Sequence, residues 1–205
     1  MAALRLVCAS ANPDKVTEIA AILDGVVDLL PRPPGVPEVA EDADTLIGNA
    51  RLKATAISTA TGLPEVSDDT GLFVDAIGGA PGIYAARFAG EDATYADNRS
   101  KLLRELDDTT YRRASFVSAV MVVWPDGHEL AVEGVCEGTI ATTELGDRGF
   151  GYDPVFIPDD GDGRSFAQMT DAEKNRISHR ARALRALLAA LRDSEVGGPE
   201  DYRAV

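Results

Sequence analysis

The chain has few cysteines and few basic residues, and these shortages exclude several kinds of protein. Its two cysteines, Cys8 and Cys136, lie far apart and outside any CxxC or Cys/His zinc pattern. We therefore expect no disulfide framework and no zinc site, and we expect both thiols to be buried. The 20 Lys and Arg residues face 34 Asp and Glu residues, which gives a formal net charge of −14. Such a charge argues against a nucleic acid or a membrane surface as the partner.

Long apolar runs are also missing. No stretch approaches the length that spans a bilayer, and residues 1–9 lack the basic region and the cleavage site of a signal peptide. We therefore predict a cytoplasmic protein. With 205 residues, 45% of them hydrophobic and 26% charged, the chain is typical of a globular protein. We expect one folded domain over residues 1–193 and a disordered tail over residues 194–205.

Lysine is scarce, with four residues against 16 arginines. In a chain that prefers arginine, each lysine is a candidate for a compact point charge. Three of the four, Lys15, Lys53 and Lys174, lie beside the motifs described next.

The most informative motif is V-S-D-D-T-G at residues 66–71, a strand-like run that we expect to end at two adjacent carboxylates. Neighbouring side chains of a strand point to opposite faces, so Asp68 and Asp69 are expected to have different roles. One would be held in the scaffold, and the other would offer hard oxygen ligands suited to Mg²⁺. The alternative is a helix cap or an Asx turn before Gly71. The motif alone does not favour either the metal site or the cap.

Residues 4–15 read as strand, loop and helix. Asn12 is a natural N-cap and Pro13 a natural first helical residue, so Lys15 falls in the first helical turn. The helix dipole disfavours a cation there, and a bound phosphate would reverse that penalty. A solvated lysine balanced by Asp14 and Glu18 is the alternative.

A second helix is predicted from Asp44 to about Gly62. It places Asn49 and Lys53 one turn apart, where they can serve one site. Glu41, just before this helix, is a candidate second metal carboxylate. A solvated acidic loop is the more common fate of such a cluster, and the sequence leaves both open.

The last two motifs lie in the C-terminal third. Glycines flank Phe150, which suits a ring that stacks on a nucleobase, with Asp153 near enough to read the base edge. The alternative is that Phe150 and Tyr152 close the core. Thr170 begins a capping box, and we predict one amphipathic helix from there to Leu191 that carries cations in its early turns: Lys174, His179 and Arg180.

Taken together, these blocks resemble the inosine triphosphate pyrophosphatase family, whose members remove non-standard purine nucleoside triphosphates. The resemblance covers residues 6 to about 192 in the family's order and spacing. It is carried by S-A-N-P-D-K, E-D-A-D-T-L-I-G-N-A-R-L-K-A, S-D-D-T-G, G-A-P-G-I-Y-A-A-R-F-A-G-E-D-A-T, G-F-G-Y-D-P-V-F and E-K-N-R-I-S-H-R.

The resemblance implies an elongated, two-lobed α/β fold with a long twisted mixed β-sheet, flanking helices and a central cleft. It also implies a homodimer that depends on Mg²⁺ and hydrolyses ITP, dITP and XTP to the monophosphate and pyrophosphate. Its implied catalytic and metal carboxylates are Asp69 and Glu41, with Asp68 beside them. The implied substrate contacts are Ser10, Ala11, Asn12, Pro13, Asp14, Lys15, Lys53, Thr70, Phe150, Gly151, Tyr152, Asp153, Lys174, His179 and Arg180.

The chain departs from the family pattern at a few positions. Thr70 stands where Ser is common, Arg148 stands where Gly is frequent, and Ala40 weakens the acidic cluster around Glu41. Two other readings compete. A nucleotide-binding regulator without turnover is opposed by the Asp68–Asp69 pair, and a pyrophosphatase for modified pyrimidines is opposed by the purine-pocket residues.

Overall fold

The structure is a computed structural model that describes residues 4–194. Within them the chain forms α-helices and β-strands in mixed order, which confirms the α/β class. The helices are α1 (Pro13–Leu23), α2 (Leu46–Thr61), α3 (Tyr95–Glu105), α4 (Asp171–Ile177) and α5 (His179–Ser194). The strands are β1 (Leu4–Cys8), β2 (Val27–Leu30), β3 (Glu65–Val74), β4 (Pro81–Gly82), β5 (Arg113–Val123), β6 (Glu129–Ile140) and β7 (Phe156–Pro158).

The strands form one open sheet of mixed direction. Its order is β2-β1-β3-β5-β6-β7, and β4 pairs with β3 off this path. β1 runs parallel to both β2 and β3, whereas β4 is antiparallel to β3 and β7 is antiparallel to β6. The predicted mixed sheet is therefore confirmed.

The chain divides into two compact units. Within residues 4–194, the first unit comprises residues 4–69, 118–134 and 180–194, and the second comprises residues 70–117 and 135–179. Each unit has its own apolar core. Leu6, Ile19 and Leu184 belong to the core of the first unit, and Leu102 and Phe156 to that of the second.

Local sequence signals account for most element ends. Asn12 caps α1 by accepting from the amides of Asp14 and Lys15, and Pro13 is the first helical residue, as predicted. Gly62 ends α2 with φ of +65°, a conformation that glycine adopts without a steric penalty.

Both cysteines are buried, as expected.

The strand at V-S-D-D-T-G does not end at the carboxylates, so that prediction was wrong. β3 continues through Thr70 and Gly71 to Val74. Gly71 is required for close packing and not for a turn, because a Cβ there would lie 2.9 Å from the Gly82 carbonyl oxygen of β4. The aspartates therefore lie in the middle of a strand.

The predicted single helix from Thr170 is two helices. Ser178 has an extended backbone with ψ of 156°, which ends α4 and lets α5 begin at His179. An interruption of one residue leaves the apolar spacing of each half intact, so the sequence pattern did not reveal it.

Of the predicted tail, only Ser194, the last residue of α5, falls in the described part of the chain. No helix within residues 4–194 is long and apolar enough to cross a bilayer.

Candidate active site

Strand geometry separates the two adjacent aspartates, as the sequence predicts. On one face of β3, Ser67 Oγ donates to the Ala50 carbonyl oxygen of α2 at 2.7 Å, and Asp69 Oδ2 accepts from Asn49 Nδ2 of the same helix at 3.1 Å. The other face carries Asp68, which binds side chains from α1 and α5. Both carboxylates are buried, with exposed fractions of 2% and 5%.

Asp68 is the centre of a buried ion cluster in the first unit. Its Oδ2 lies 3.3 Å from Lys15 Nζ and 3.1 Å from Arg180 Nε, and Arg180 Nη1 also binds Glu18 Oε2. Burial alone would raise the pKa of Asp68, but the charges of Lys15 and Arg180 outweigh it and hold that pKa well below its usual range. Asp68 is therefore expected to stay ionised at neutral pH and to anchor the two cations.

Asp69 belongs to a second cluster, which is centred on the Lys53 ammonium. Lys53 Nζ donates to Glu41 Oε1 at 3.1 Å, to Asp69 Oδ1 at 3.3 Å and to the Asp68 carbonyl oxygen at 2.7 Å. Burial raises the pKa of Asp69, and the nearby lysines offset only part of that effect. Burial would lower the pKa of Lys53, but its three acidic neighbours raise it instead. The structure thus brings Asp69, Glu41 and Lys53 together.

The donor set of this second cluster fits Mg²⁺. Glu41 and Asp69 offer hard carboxylate oxygens that converge on one cationic centre. Within residues 4–194, no group of three or more Asp, Glu, His or Cys side chains has metal-binding geometry. Mg²⁺ is commonly held by one or two carboxylates together with water and substrate phosphates.

The predicted phosphate loop precedes and opens α1. Ser10 Oγ accepts from Asn12 N at 3.2 Å, and Asn12 Oδ1 accepts from Asp14 N at 2.9 Å and from Lys15 N at 3.3 Å. The charge of Lys15 in the first helical turn is balanced by Asp68. Glu18, which was named with Asp14 in the alternative interpretation, binds Arg180. Ala11 and Pro13 complete the loop.

The second unit holds a separate cluster of aromatic and charged groups. Lys174 Nζ binds Asp153 Oδ2, which also accepts from the Phe150 amide at 2.9 Å. The same ammonium lies 4.8 Å from the centroid of the Phe150 ring. Gly149 has φ of +67°, and a Cβ there would lie 2.1 Å from Asp153 Oδ2, so the loop needs glycine at this position. The structure therefore groups Phe150 and Asp153, as the sequence predicts, and adds Lys174, as the family resemblance implies.

Other expected base contacts have different surroundings. Tyr152 is buried and donates its hydroxyl to the Ala85 carbonyl oxygen at 2.9 Å, and the His179 ring stacks on Phe116 at 4.3 Å between centroids. Arg180 lies in the first unit, on Asp68. Thr70 is half-buried and follows Asp69 in β3. The role of each in base or phosphate binding stays a prediction.

Sequence reasoning missed several residues that shape these clusters. Arg99 of α3 holds the carbonyl oxygen of Gly151 at 2.9 Å and pairs with Glu144, and Tyr95, one helical turn before it, lies 6.1 Å from the Phe150 ring. Arg32 binds loop carbonyl oxygens. Tyr95 and Arg99 are four residues apart on one helix, and this spacing was the available signal for both. No local pattern marks Arg32.

Comparison with known proteins decides the family. The model of the Ham1 family matches residues 6–190 of the chain. The chain belongs to the Ham1 family.

Curated relatives of this Ham1 family member cover nearly its whole length. The dITP/XTP pyrophosphatase of Rhodospirillum centenum is 49% identical over 189 residues, which is 90% of this chain and 93% of that protein. The dITP/XTP pyrophosphatase of Geobacillus kaustophilus is 46% identical over 188 residues, 89% and 91% of the two chains. A solved Ham1 protein from Coxiella burnetii matches with a TM-score of 0.84 and 37% identity, over 93% of this chain and 99% of that one.

Proposed function

We propose that this Ham1 family protein hydrolyses non-standard purine nucleoside triphosphates, namely ITP, dITP and XTP, to the monophosphate and pyrophosphate with the aid of Mg²⁺. Its class, a hydrolase of phosphoanhydride bonds, follows from the family and from the names of its relatives. The observation that carries the proposal is that the carboxylates of Asp69 and Glu41 converge on the ammonium of Lys53. Asp69 lies in the middle of β3, Lys53 lies in α2, and Glu41 lies in the loop before α2.

The charges of the first unit suit a triphosphate. A triphosphate brings about four negative charges, and a protein with a net charge of −14 must concentrate its cations to bind it. Lys15 and Lys53 are both held beside the aspartate pair. Each ammonium has three donors, so both can exchange a carboxylate for a phosphate oxygen without leaving the cluster.

Asp69 is the residue that we assign as the base. Mg²⁺ bound by Asp69 and Glu41 would lower the pKa of a bound water and neutralise developing charge on the phosphates. Asn49 Nδ2 orients the Asp69 carboxylate at 3.1 Å, which leaves that carboxylate fixed for accepting a proton. Phosphoryl transfer asks a protein mainly for positioning and charge neutralisation, so we propose direct attack by water without a covalent intermediate.

The second unit supplies the features expected of a purine site. The Phe150 ring offers a stacking face, and Lys174 offers an ammonium held by Asp153. Hypoxanthine and xanthine present an acceptor oxygen at position 6, whereas adenine presents an amino donor. When adenine enters a site lined by hydrogen-bond donors, those donors face its amino group and stay unpaired. Each such mismatch costs about 1 to 3 kcal/mol of binding free energy.

The position of attack tests the reaction. Turnover of ITP in ¹⁸O-labelled water, followed by ³¹P NMR, is expected to place the label in the monophosphate and to release unlabelled pyrophosphate. Label in pyrophosphate would show attack at the β-phosphorus. Orthophosphate and a diphosphate as the primary products would refute the pyrophosphatase assignment, and no turnover with any nucleotide would favour a regulator.

A substrate panel tests the selectivity. With Mg²⁺ present, we expect kcat/KM for ITP, dITP and XTP to exceed that for ATP by on the order of 10-fold or more, from the mismatch above. Comparable values for ATP and ITP would contradict the base assignment, and faster turnover of modified pyrimidine triphosphates would favour the competing pyrimidine reading.

The proposal also includes a cytoplasmic homodimer, which the family resemblance supports. Sedimentation velocity at micromolar concentration is expected to give the mass of two chains, each of 21.7 kDa. A single-chain mass at every concentration would contradict the dimer without affecting the proposed reaction.

A further inference from the structure

The segment that carries Glu41 is rich in proline. Residues 31–45 connect β2 to α2, contain Pro31, Pro33, Pro34 and Pro37, and adopt neither helix nor strand. Proline has no backbone N–H group, so such a segment has few donors with which to bond to itself. Its carbonyl oxygens need donors other than its own backbone amides if the segment is to keep one conformation.

Arg32 supplies those donors. Its Nη2 donates to the carbonyl oxygens of Val36 at 2.9 Å and Pro37 at 2.8 Å, and its Nη1 donates to that of Ala9 at 2.9 Å. Ala9 directly follows β1 and precedes Ser10 of the phosphate loop. One half-buried guanidinium thus ties the proline-rich segment to the end of β1.

Asn49 fixes the other end of the same segment. Its Oδ1 accepts from the Ala43 amide at 3.0 Å, while its Nδ2 donates to Asp69. Glu41 lies between this anchor and the one at Pro37, and its carboxylate reaches Lys53. The position of Glu41 relative to Asp69 therefore depends on both anchors, because Glu41 itself belongs to no helix or strand.

We propose that Arg32 is a positioning residue for the metal site: it holds residues 33–41 in the conformation in which Glu41 and Asp69 share one cation. This inference rests on the proposed function, because it assumes that Glu41 and Asp69 bind the metal. A guanidinium presents its donors from separate nitrogens in a rigid fork, so the single nitrogen of a lysine reproduces these contacts only in part. If the segment loses this anchor, Glu41 spends less time in the competent position and the apparent metal affinity falls by that fraction.

The first experiment measures Mn²⁺ binding without nucleotide, by the EPR signal of the free ion. We expect Arg32→Ala to weaken Mn²⁺ binding on the order of 10-fold, which is typical when a residue that orients a metal ligand is removed. Glu41→Gln is expected to weaken it at least as much. The double variant should match Glu41→Gln, because Arg32 acts through Glu41. Wild-type affinity in Arg32→Ala, or additive losses in the double variant, would overturn the proposal.

The second experiment measures hydrogen exchange, which separates local loosening from general destabilisation. Amides of residues 38–44 are expected to exchange faster in Arg32→Ala, while those of β3 keep their protection. Arg32→Lys should give an intermediate result, and it serves as the test variant if Arg32→Ala folds poorly. Unchanged exchange at residues 38–44 in both variants would overturn the proposal.

Arg5→Ala is the matched control. Arg5 lies in the same unit, and its Nε pairs with Asp28 at 3.0 Å on the exposed surface of β1 and β2. It should leave Mn²⁺ affinity and exchange at residues 38–44 unchanged. A loss of the same size in Arg5→Ala would show a general effect of removing positive charge and would overturn the assignment to Arg32.

The failure of this inference is distinguishable from the failure of the proposed function. If the wild-type protein releases no pyrophosphate, the function fails, whereas the exchange measurement still tests the anchoring. If the wild type is active, we expect Arg32→Ala to raise the Mg²⁺ concentration for half-maximal rate while kcat at saturating Mg²⁺ stays within about twofold. Unchanged Mg²⁺ dependence would overturn the inference alone.

Discussion

At the scale of single residues, Asp68 contributes to stability. Lys15 and the buried Arg180 both pair with its buried carboxylate, so Asp68→Asn leaves two cations without their shared anion. We expect a loss of about 3 kcal/mol or more in the free energy of unfolding at pH 7, measured by urea denaturation. Because the pKa of Asp68 is lowered from its ordinary 3.8, this contribution is present above pH 3.8 and is lost as the pH falls through the lowered pKa.

Asp69 is expected to affect the rate rather than the stability. Asp69→Asn removes the proposed base and metal ligand, while Lys53 keeps Glu41 and the Asp68 carbonyl oxygen as partners. We expect kcat to fall on the order of 100-fold or more, with a smaller loss of stability than Asp68→Asn causes. Steady-state kinetics at saturating Mg²⁺ checks this. Wild-type kcat would exclude Asp69 as the base.

Lys53 is expected to oppose metal binding when no nucleotide is present. Its ammonium pairs with Glu41 and Asp69, so Lys53→Met removes a positive charge that both carboxylates share. Attraction of a divalent cation by such a pair predicts a gain in Mn²⁺ affinity of about 10-fold or more, even as turnover falls. Titration of Mn²⁺ measures it. Lys101→Met, which removes a lysine bound to the Phe88 carbonyl oxygen, is the control. Weaker Mn²⁺ binding in Lys53→Met would contradict the prediction.

At the scale of the elements, β3 holds a third acidic group that the proposed reaction does not use. Glu65, the first residue of β3, is fully buried beside Val7 of β1. Burial raises its pKa well above the ordinary 4.5, and Lys53 and Arg32 offset only part of this. Above pH 4.5 the folded chain therefore binds more protons here than the unfolded chain. Stability should fall as the pH rises from 4.5 through the raised pKa.

Glu65→Gln removes this titration. We expect the free energy of unfolding of the variant, relative to wild type, to grow from pH 5 to pH 8 in urea denaturation experiments. Glu129→Gln, at an exposed ion pair with Arg51, should give a constant difference. Parallel curves for Glu65→Gln and wild type would show that Glu65 does not titrate on unfolding in this range.

The sequence was sufficient for the elements that local signals determine. The caps at Asn12 and Gly62 and the amphipathic pattern of α2 placed Lys15 and Lys53 correctly. The alternation of side chains along a strand correctly predicted that Asp68 and Asp69 point to opposite faces of β3. By contrast, β3 continues through Gly71 because β4 packs against it, and this partner lies eleven positions further along the chain.

Contacts between distant residues could not be predicted from the sequence. Arg180 binds Asp68, 112 positions earlier, and no periodicity links the two residues. The partner that the structure gives Lys15 is Asp68, which no local pattern indicated. Side chains whose partners come from other elements, such as Arg32 and Arg99, were missed because only the fold brings those partners near.

At the scale of the whole molecule, charged groups are concentrated in separate places in the two units. The first unit holds the aspartate pair with Lys15 and Lys53, and the second holds Lys174 with Asp153. Each cluster is buried next to its own apolar core. Loosening of one core is therefore expected to disturb its own cluster first.

The two thiols provide a way to observe such loosening. Cys8 is buried in the first unit and Cys136 in the second, and burial raises the pKa of the Cys8 thiol to about 11. A thiol that is buried and protonated reacts with an alkylating reagent only after its surroundings open. Pulsed alkylation followed by peptide mass spectrometry would thus time the opening of each half of the native chain separately, without an added label. Equal rates would mean one cooperative structure, and unequal rates would show which half opens first.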